Sequence, residues 1–256
     1  MSGSRASSGQ VAFITGASFG IGAATALALA RDGFDIAISA TRIENLKDTA
    51  AKLRTTGCRV AEVALDLCSQ DSIEQAFAGV VSALGRVDVL VNNAGVNLRQ
   101  TALDVTLEQW DAVMRANATG TFFLTQQFGR HLVAAGRPGC VVSISSSHGM
   151  LGAAERSTYG ISKAAILQMT RMLAIEWAPH GIRVNAVAPG RVDTPSPSRA
   201  ATGTDPKYMQ AMVNRVPLRR LATAEDVAEA VCYLAGSRGA FVTGHTLAVD
   251  GGLTAY

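Results

Sequence analysis

Val11-Ala12-Phe13-Ile14-Thr15-Gly16-Ala17-Ser18-Phe19-Gly20-Ile21-Gly22 is the stretch on which the fold turns. Its first five residues form a short apolar run with the length of a strand buried on both faces. Residues 21–32 follow as an amphipathic helix. Glycines between a strand and a helix carry a meaning that the same glycines elsewhere lack. Gly16 permits a tight turn. Gly20 lets the backbone approach a pyrophosphate seated on the helix N-terminus. Gly22 allows the helix to pack closely on the strand. The turn therefore reads as dinucleotide-binding.

Outward from this turn the chain repeats its two signals. Val- and Ile-rich runs fall at 36–40, 59–65, 88–92, 140–145, 182–188 and 247–249, each of a length suited to a strand buried on both faces. Amphipathic stretches lie between them at 43–56, 72–84, 107–135, 158–177 and 224–236. Thr106 and Thr223 stand where helix caps belong. Regular alternation of this kind predicts an α/β domain, a doubly wound parallel sheet with helices on both faces. No linker or repeat divides it. Residues 1–9 are Ser/Gly-rich and read as a floppy tail, which leaves 10–256 as the domain. Residues 193–217 hold four of the seven prolines and read as a loop with a short helix.

Composition narrows the function. Across 256 residues, 48% are hydrophobic and 17% charged, with a net charge of +3. Mean hydropathy is +0.21. No basic block points to nucleic acid or a bilayer surface. No apolar run has transmembrane length, and no signal peptide opens the chain. The four cysteines and four histidines are scattered, so no metal is expected. Reduced thiols fit a cytoplasmic protein.

Particular residues carry chemistry. The rule for NAD binders places an acid about 20 residues beyond the glycine turn, on the ribose 2′-hydroxyl. Here the second strand ends Ser39-Ala40-Thr41-Arg42, with an arginine and no acid. Arg42 could pair with a 2′-phosphate and Thr41 could donate to it, which favours NADP(H) over NAD(H). Arg42 could equally be a solvated charge at a helix entry. Asp66, ending the third strand, could accept from an adenine amino group or cap the helix that follows. The fourth strand ends Asn92-Asn93-Ala94-Gly95, whose small residues let the chain pass beside a flat ligand while the asparagines tie neighbouring loops. Asn117 lies within 107–135, where asparagine and the nearby Gly120 are poor helix formers. It marks a kink or a function. Tyr159 and Lys163 are four apart and share one helix face. An ammonium one turn away would lower the phenol's pKa and make it an acid or base near neutrality. Two unconnected residues on a half-exposed helix would show the same spacing.

Together these residues resemble the short-chain dehydrogenase/reductase family. The resemblance covers about residues 10–252 and rests on six features in order. They are T-G-x-x-x-G-I-G at 15–22, N-N-A-G at 92–95, Asn117, a serine thirteen before Tyr159, Y-x-x-x-K at 159–163 and P-G-x-V-x-T at 189–194. It implies a Rossmann-type domain and an oxidoreductase that moves a hydride between NADP(H), or NAD(H), and a ketone or secondary alcohol. It also implies roles. Tyr159 would be the acid and base, Lys163 would lower its pKa and hold the nicotinamide ribose, and Ser146 would bind the substrate oxygen. Asn117 would hold a water linking Lys163 to solvent. The dinucleotide would meet Gly16, Ser18, Phe19, Gly20, Ile21, Thr41, Arg42, Asp66, Leu67, Asn93, Ala94 and Gly95. Pro189, Gly190, Val192 and Thr194 would lie against the nicotinamide.

Phe19 departs from the basic residue that NADP-preferring members often carry, and His148 is expected to line the substrate pocket. Arg137 and His180 half match the basic docking residues of acyl-carrier reductases, so a small-molecule substrate is favoured over an acyl carrier. The helix at 158–177 is apolar on several faces, which predicts a homotetramer, or else a dimer. The competing class is a non-catalytic, redox-sensing dinucleotide binder on the same fold.

Overall fold

The computed structural model describes residues 9–194 and 206–255. Residues 1–8 of the expected tail and 195–205 of the expected substrate loop lie outside the described residues. The strands are β1 (Val11–Thr15), β2 (Asp35–Ala40), β3 (Val60–Ala64), β4 (Val89–Asn92), β5 (Gly139–Ile144), β6 (Ile182–Pro189) and β7 (Thr246–Val249). They pair, all parallel, in the order β3-β2-β1-β4-β5-β6-β7. The connection reverses direction between β1 and β4, so a crevice opens at the carboxyl ends of those two strands.

Helices cover both faces. α1 (Gly20–Arg31), α2 (Lys47–Arg54) and α8 (Ala224–Ala235) lie over one face. Leu29, Leu46, Leu53, Val227 and Val231 pack there against Ile14, Ile36 and Ile38. α3 (Gln70–Leu84), α5 (Gly120–Ala135) and α6 (Ser157–Trp177) lie over the other. Phe77, Leu124, Phe128 and Leu173 meet Phe13, Leu90 and Val141 there. Two further helices, α4 (Leu107–Met114) and α7 (Pro206–Asn214), flank the crevice loops. The expected caps are present: Thr106 and Thr223 each close a reciprocal capping box.

Three expectations change. The single helix over 107–135 is α4 and α5 separated by a π turn, Arg115–Thr119, centred on Asn117. Asp66 does not cap α3: Ser69 does, accepting from the Ser72 N–H, while Asp66 Oδ1 accepts from Cys68 N–H at 2.9 Å in its own turn. β3 and β7 are only partly buried, because they are the sheet's two edges and each has one neighbour. Within the expected loop at 193–217, α7 supplies the short helix.

Candidate active site

The glycine turn is shaped by sterics. Gly16 and Gly20 sit at φ +65° and +61°, a backbone region that favours glycine. A Cβ on Gly16 would meet Ala94 Cα at 2.8 Å, which fastens the turn to the end of β4. Thr15 Oγ1 accepts from the N–H groups of Asn93 and Ala94, and Asn93 Nδ2 donates to the carbonyls of Thr15 and Gly16, all at 2.9–3.0 Å. Asn93 therefore ties two loops together. Asn92 instead bonds Thr125 and Ser143 inside the domain. At the N-terminus of α1, Phe19 makes no side-chain cap, unlike Ser69, Thr106 and Thr223 on their helices. The first N–H groups of α1 are thus left for an anion. Gly20 faces Thr194, whose Cγ2 would lie 3.2 Å from a Cβ there, so the segment that follows β6 closes over the turn.

The second cluster gathers at the ends of β4, β5 and β6. A cavity of about 800 Å³ is lined by Asn93, Gly95, Ser146, Tyr159, Lys163 and the segment from Pro189 to Thr194, Asp193 excepted. Tyr159 and Lys163 come from the first two turns of α6, and Ser146 from the end of β5. Of the three serines, Ser146 is the one whose side chain acts on the Tyr159 phenol, favouring its charged form. Ser145 donates to the Lys163 carbonyl at 2.8 Å and so holds α6 in place. Lys163 is buried, and its Nζ donates to the Ile144 carbonyl at 2.9 Å. Burial pushes its pKa down to about 8.

The Tyr159 phenol moves opposite to the direction that the Tyr–Lys spacing suggests. Burial raises its pKa, and the Ser146 hydrogen bond and Arg156 offset only part of the rise. The shared helix face is real, with Lys163 Nζ 5.8 Å from the ring centroid. Yet burial disfavours charge on both groups, and the lysine proton is directed at a carbonyl.

Asn117 is committed on both sides of its amide. Its Nδ2 donates to Val96 O (2.9 Å) and Ser162 Oγ (3.0 Å), and its Oδ1 accepts from Val96 N–H at 2.8 Å. The π turn thus clamps the loop after β4 to α6. Gly95 fits in this clamp only as glycine, because a Cβ would lie 2.9 Å from Asn117 Oδ1 and 3.5 Å from Lys163 Nζ.

Ser18 and Ile21 flank the glycine turn, and Ile21 also reaches the cavity lining. Thr41 and Arg42 are exposed at the end of β2, and Asp66 is exposed beyond β3 with Leu67 buried beside it. These positions follow the carboxyl edge of the sheet but do not line the cavity around Tyr159. His148 does line it, edge-to-face with Tyr159 at 6.2 Å between centroids. Burial, then Arg156 and Arg215, hold its pKa below the usual value. Sequence reading missed Ser162, the Ile144 carbonyl and a group of arginines on the cavity wall. Arg156 carried one usable signal, its position three residues before Tyr159, where it is the N-cap residue of α6.

Comparison with known proteins identifies the family. A family model described as enoyl-(acyl carrier protein) reductase matches residues 16–254. A short-chain dehydrogenase/reductase of Armillaria gallica is 37% identical, with 99% of each chain covered. The cis-4-hydroxycyclohexanecarboxylate dehydrogenase of Sinomonas cyclohexanicum is 40% identical over 96% of this chain and 97% of its own. Among solved structures, a protein from Agrobacterium tumefaciens with bound NADP superposes with a TM-score of 0.88 at 33% identity, covering 97% of each chain. An NAD+-bound xylitol dehydrogenase superposes at 0.90 and 31% identity, over 95% of this chain and 98% of its own.

Proposed function

This chain belongs to the short-chain dehydrogenase/reductase family and is an NAD(P)-dependent oxidoreductase of the CH–OH group; on that premise we propose that it interconverts a small-molecule ketone and a secondary alcohol with NADP(H) preferred and Tyr159 as acid and base. The observation that carries the reading is the convergence of Ser146, Tyr159 and Lys163 on one cavity with Pro189, Gly190, Val192 and Thr194.

A dinucleotide fits the residues present. The uncapped start of α1 and the left-handed glycines at 16 and 20 suit a pyrophosphate, with Ser18, Phe19 and Ile21 around it. Asp66, Leu67, Asn93, Ala94 and Gly95 would line the adenosine and ribose path. Thr41 and Arg42 would take a 2′-phosphate, since both are exposed at the end of β2. When bound, the nicotinamide supplies or accepts the hydride.

The chain's own groups handle the proton. In reduction, Ser146 donates to the carbonyl oxygen as negative charge develops there, and Tyr159 gives it the phenolic proton. In oxidation Tyr159 takes the hydroxyl proton back. Lys163 would hold the nicotinamide ribose and favour the phenolate that forms. Asn117, whose Nδ2 ties the π turn to Ser162 beside Lys163, would hold a water that links Lys163 to solvent and returns the proton. We propose a homotetramer, supported by the exposed Ile161, Met172 and Ile175 of α6 and Phe122 and Val133 of α5. A cytoplasmic location is proposed from the thiol chemistry alone, and fractionation of the expressing cells would test it.

The deciding experiment follows the nicotinamide spectroscopically over a panel of ketones and secondary alcohols with both dinucleotides. Turnover by the wild type, abolished in Tyr159→Phe with dinucleotide binding retained, is the expected result. Binding of dinucleotide without turnover of any carbonyl would instead favour a redox-sensing binder.

A further inference from the structure

The substrate end of the cavity is strongly basic. Arg99, Arg156, Arg191 and Arg215 all line it, and among the described lining residues the one carboxylate is Glu155. Glu155 is used: its Oε2 pairs with Arg99 Nε at 2.5 Å. Glu155 also holds a left-handed backbone at φ +60°, and its carbonyl accepts from Gln100 N–H at 3.0 Å. That conformation is uncommon for a residue with a Cβ. It fixes the segment leading into Arg156.

Arg156 is held by one edge. Its Nη1 donates to Asn97 Oδ1 at 2.7 Å and to the Leu98 carbonyl at 3.4 Å. Among the described residues its Nε and Nη2 have no partner and no carboxylate pairs with it. Arg191 lies 5.2 Å from the Tyr208 ring centroid and donates to the Tyr208 hydroxyl at 3.3 Å, again with no carboxylate partner among the described residues. Partly buried guanidiniums that crowd one another are costly unless an anion joins them. Burial, with Arg99 and Arg191 nearby, lowers the Arg156 pKa accordingly.

The location assigns this charge to the substrate rather than to the dinucleotide phosphates. Arg156 is bonded to the 97–98 loop, away from the glycine turn, and stands three residues before Tyr159. Arg156 is the N-cap residue of α6, just outside its helical turns, and it lines the same cavity as Ser146 and Tyr159. An anion on Arg156 therefore shares one cavity with the oxygen that Ser146 and Tyr159 would hold.

We propose that the physiological substrate is a keto or hydroxy carboxylate whose carboxylate is bound by the free edge of Arg156, with Arg191 completing the basic wall. The planar guanidinium edge matches a carboxylate's two oxygens. This inference rests on the ketone-reductase reading of the same cavity.

Its test uses matched probes: 4-oxopentanoate and 4-oxocyclohexanecarboxylate, each beside its methyl ester, with dihydroxyacetone phosphate beside dihydroxyacetone as the phosphate arm. The expected result is a kcat/KM at least tenfold higher for an acid than for its ester. The preference should shrink with added salt, should fall at least tenfold in Arg156→Gln, and should be partly kept in Arg156→Lys. Esters reduced as well as acids would overturn the inference and leave the reductase reading standing. Preference for the phosphate over both carboxylates would also overturn it. If no carbonyl is turned over, binding of cyclohexanecarboxylate against cyclohexanemethanol to the dinucleotide-loaded chain decides. Acid binding lost in Arg156→Gln upholds the carboxylate site while the reductase reading falls, and equal binding of the two removes both. If Arg156→Gln fails to fold, the salt dependence of the wild-type acid-to-ester ratio decides, and a flat ratio counts against the site.

Discussion

Lys163 Nζ donates to the carbonyl of Ile144 at 2.9 Å, from a buried position at the cavity wall. Lys163, the proposed partner of Tyr159, is therefore anchored to the end of β5, the strand that leads into Ser146. Its folded pKa, about 8, lies below its ordinary 10.5. The unfolded chain holds that proton more tightly, so the charge costs stability below about pH 8, and the cost fades between pH 8 and 10.5. The gap corresponds to roughly 3 kcal/mol. As pH is lowered from 10.5 to 7, the stability of Lys163→Met should move in the variant's favour relative to wild type by up to that amount. Urea denaturation at fixed protein concentration measures it, and a pH-independent difference would contradict the buried charge.

Gly120→Ala should destabilise, although alanine is the better helix former by about 1 kcal/mol. Gly120 starts α5 directly after the π turn, and a Cβ there would fall 2.0 Å from the Leu67 carbonyl oxygen. That atom is backbone and cannot swing away, so the clash outweighs the propensity by about 1–3 kcal/mol. A melting temperature equal to or above wild type would show that α5 and the 66–69 turn can separate at no cost.

Arg42→Ala should raise the KM for NADP(H) at least tenfold and that for NAD(H) by less than about twofold. A desolvated guanidinium–phosphate contact is worth on the order of 1.5–3 kcal/mol. Equal effects on both dinucleotides would leave Arg42 as a solvated charge. Dinucleotide titrations at one ionic strength make the comparison.

Light scattering should give a mass near four times 26.6 kDa. Ile175 is 77% exposed and Leu103 98% exposed in the single chain, an arrangement that a subunit interface would relieve. A mass of one chain would refute the assembly, and two would favour the dimer.

The sequence by itself determined the layered sheet and the glycine turn, because both follow from periodicity and from the φ values that only glycine tolerates cheaply. It also determined that Ser146, Tyr159 and Lys163 belong together, since their spacing matches a whole family's motif. Tertiary structure decided the rest. Asn117 lay in what read as one long helix; only its bonds to Val96 and Ser162, 21 and 45 residues away, show why the helix widens there. Pattern alone suggested that Lys163 lowers the Tyr159 pKa, whereas burial, a property of the whole fold, raises it. The arginines of the cavity wall come from residues 99, 156, 191 and 215, too far apart along the chain to read as a cluster. Periodicity is local and can be read from neighbours. Burial and charge convergence are sums over the folded chain, and appear only once the strands have set their loops side by side.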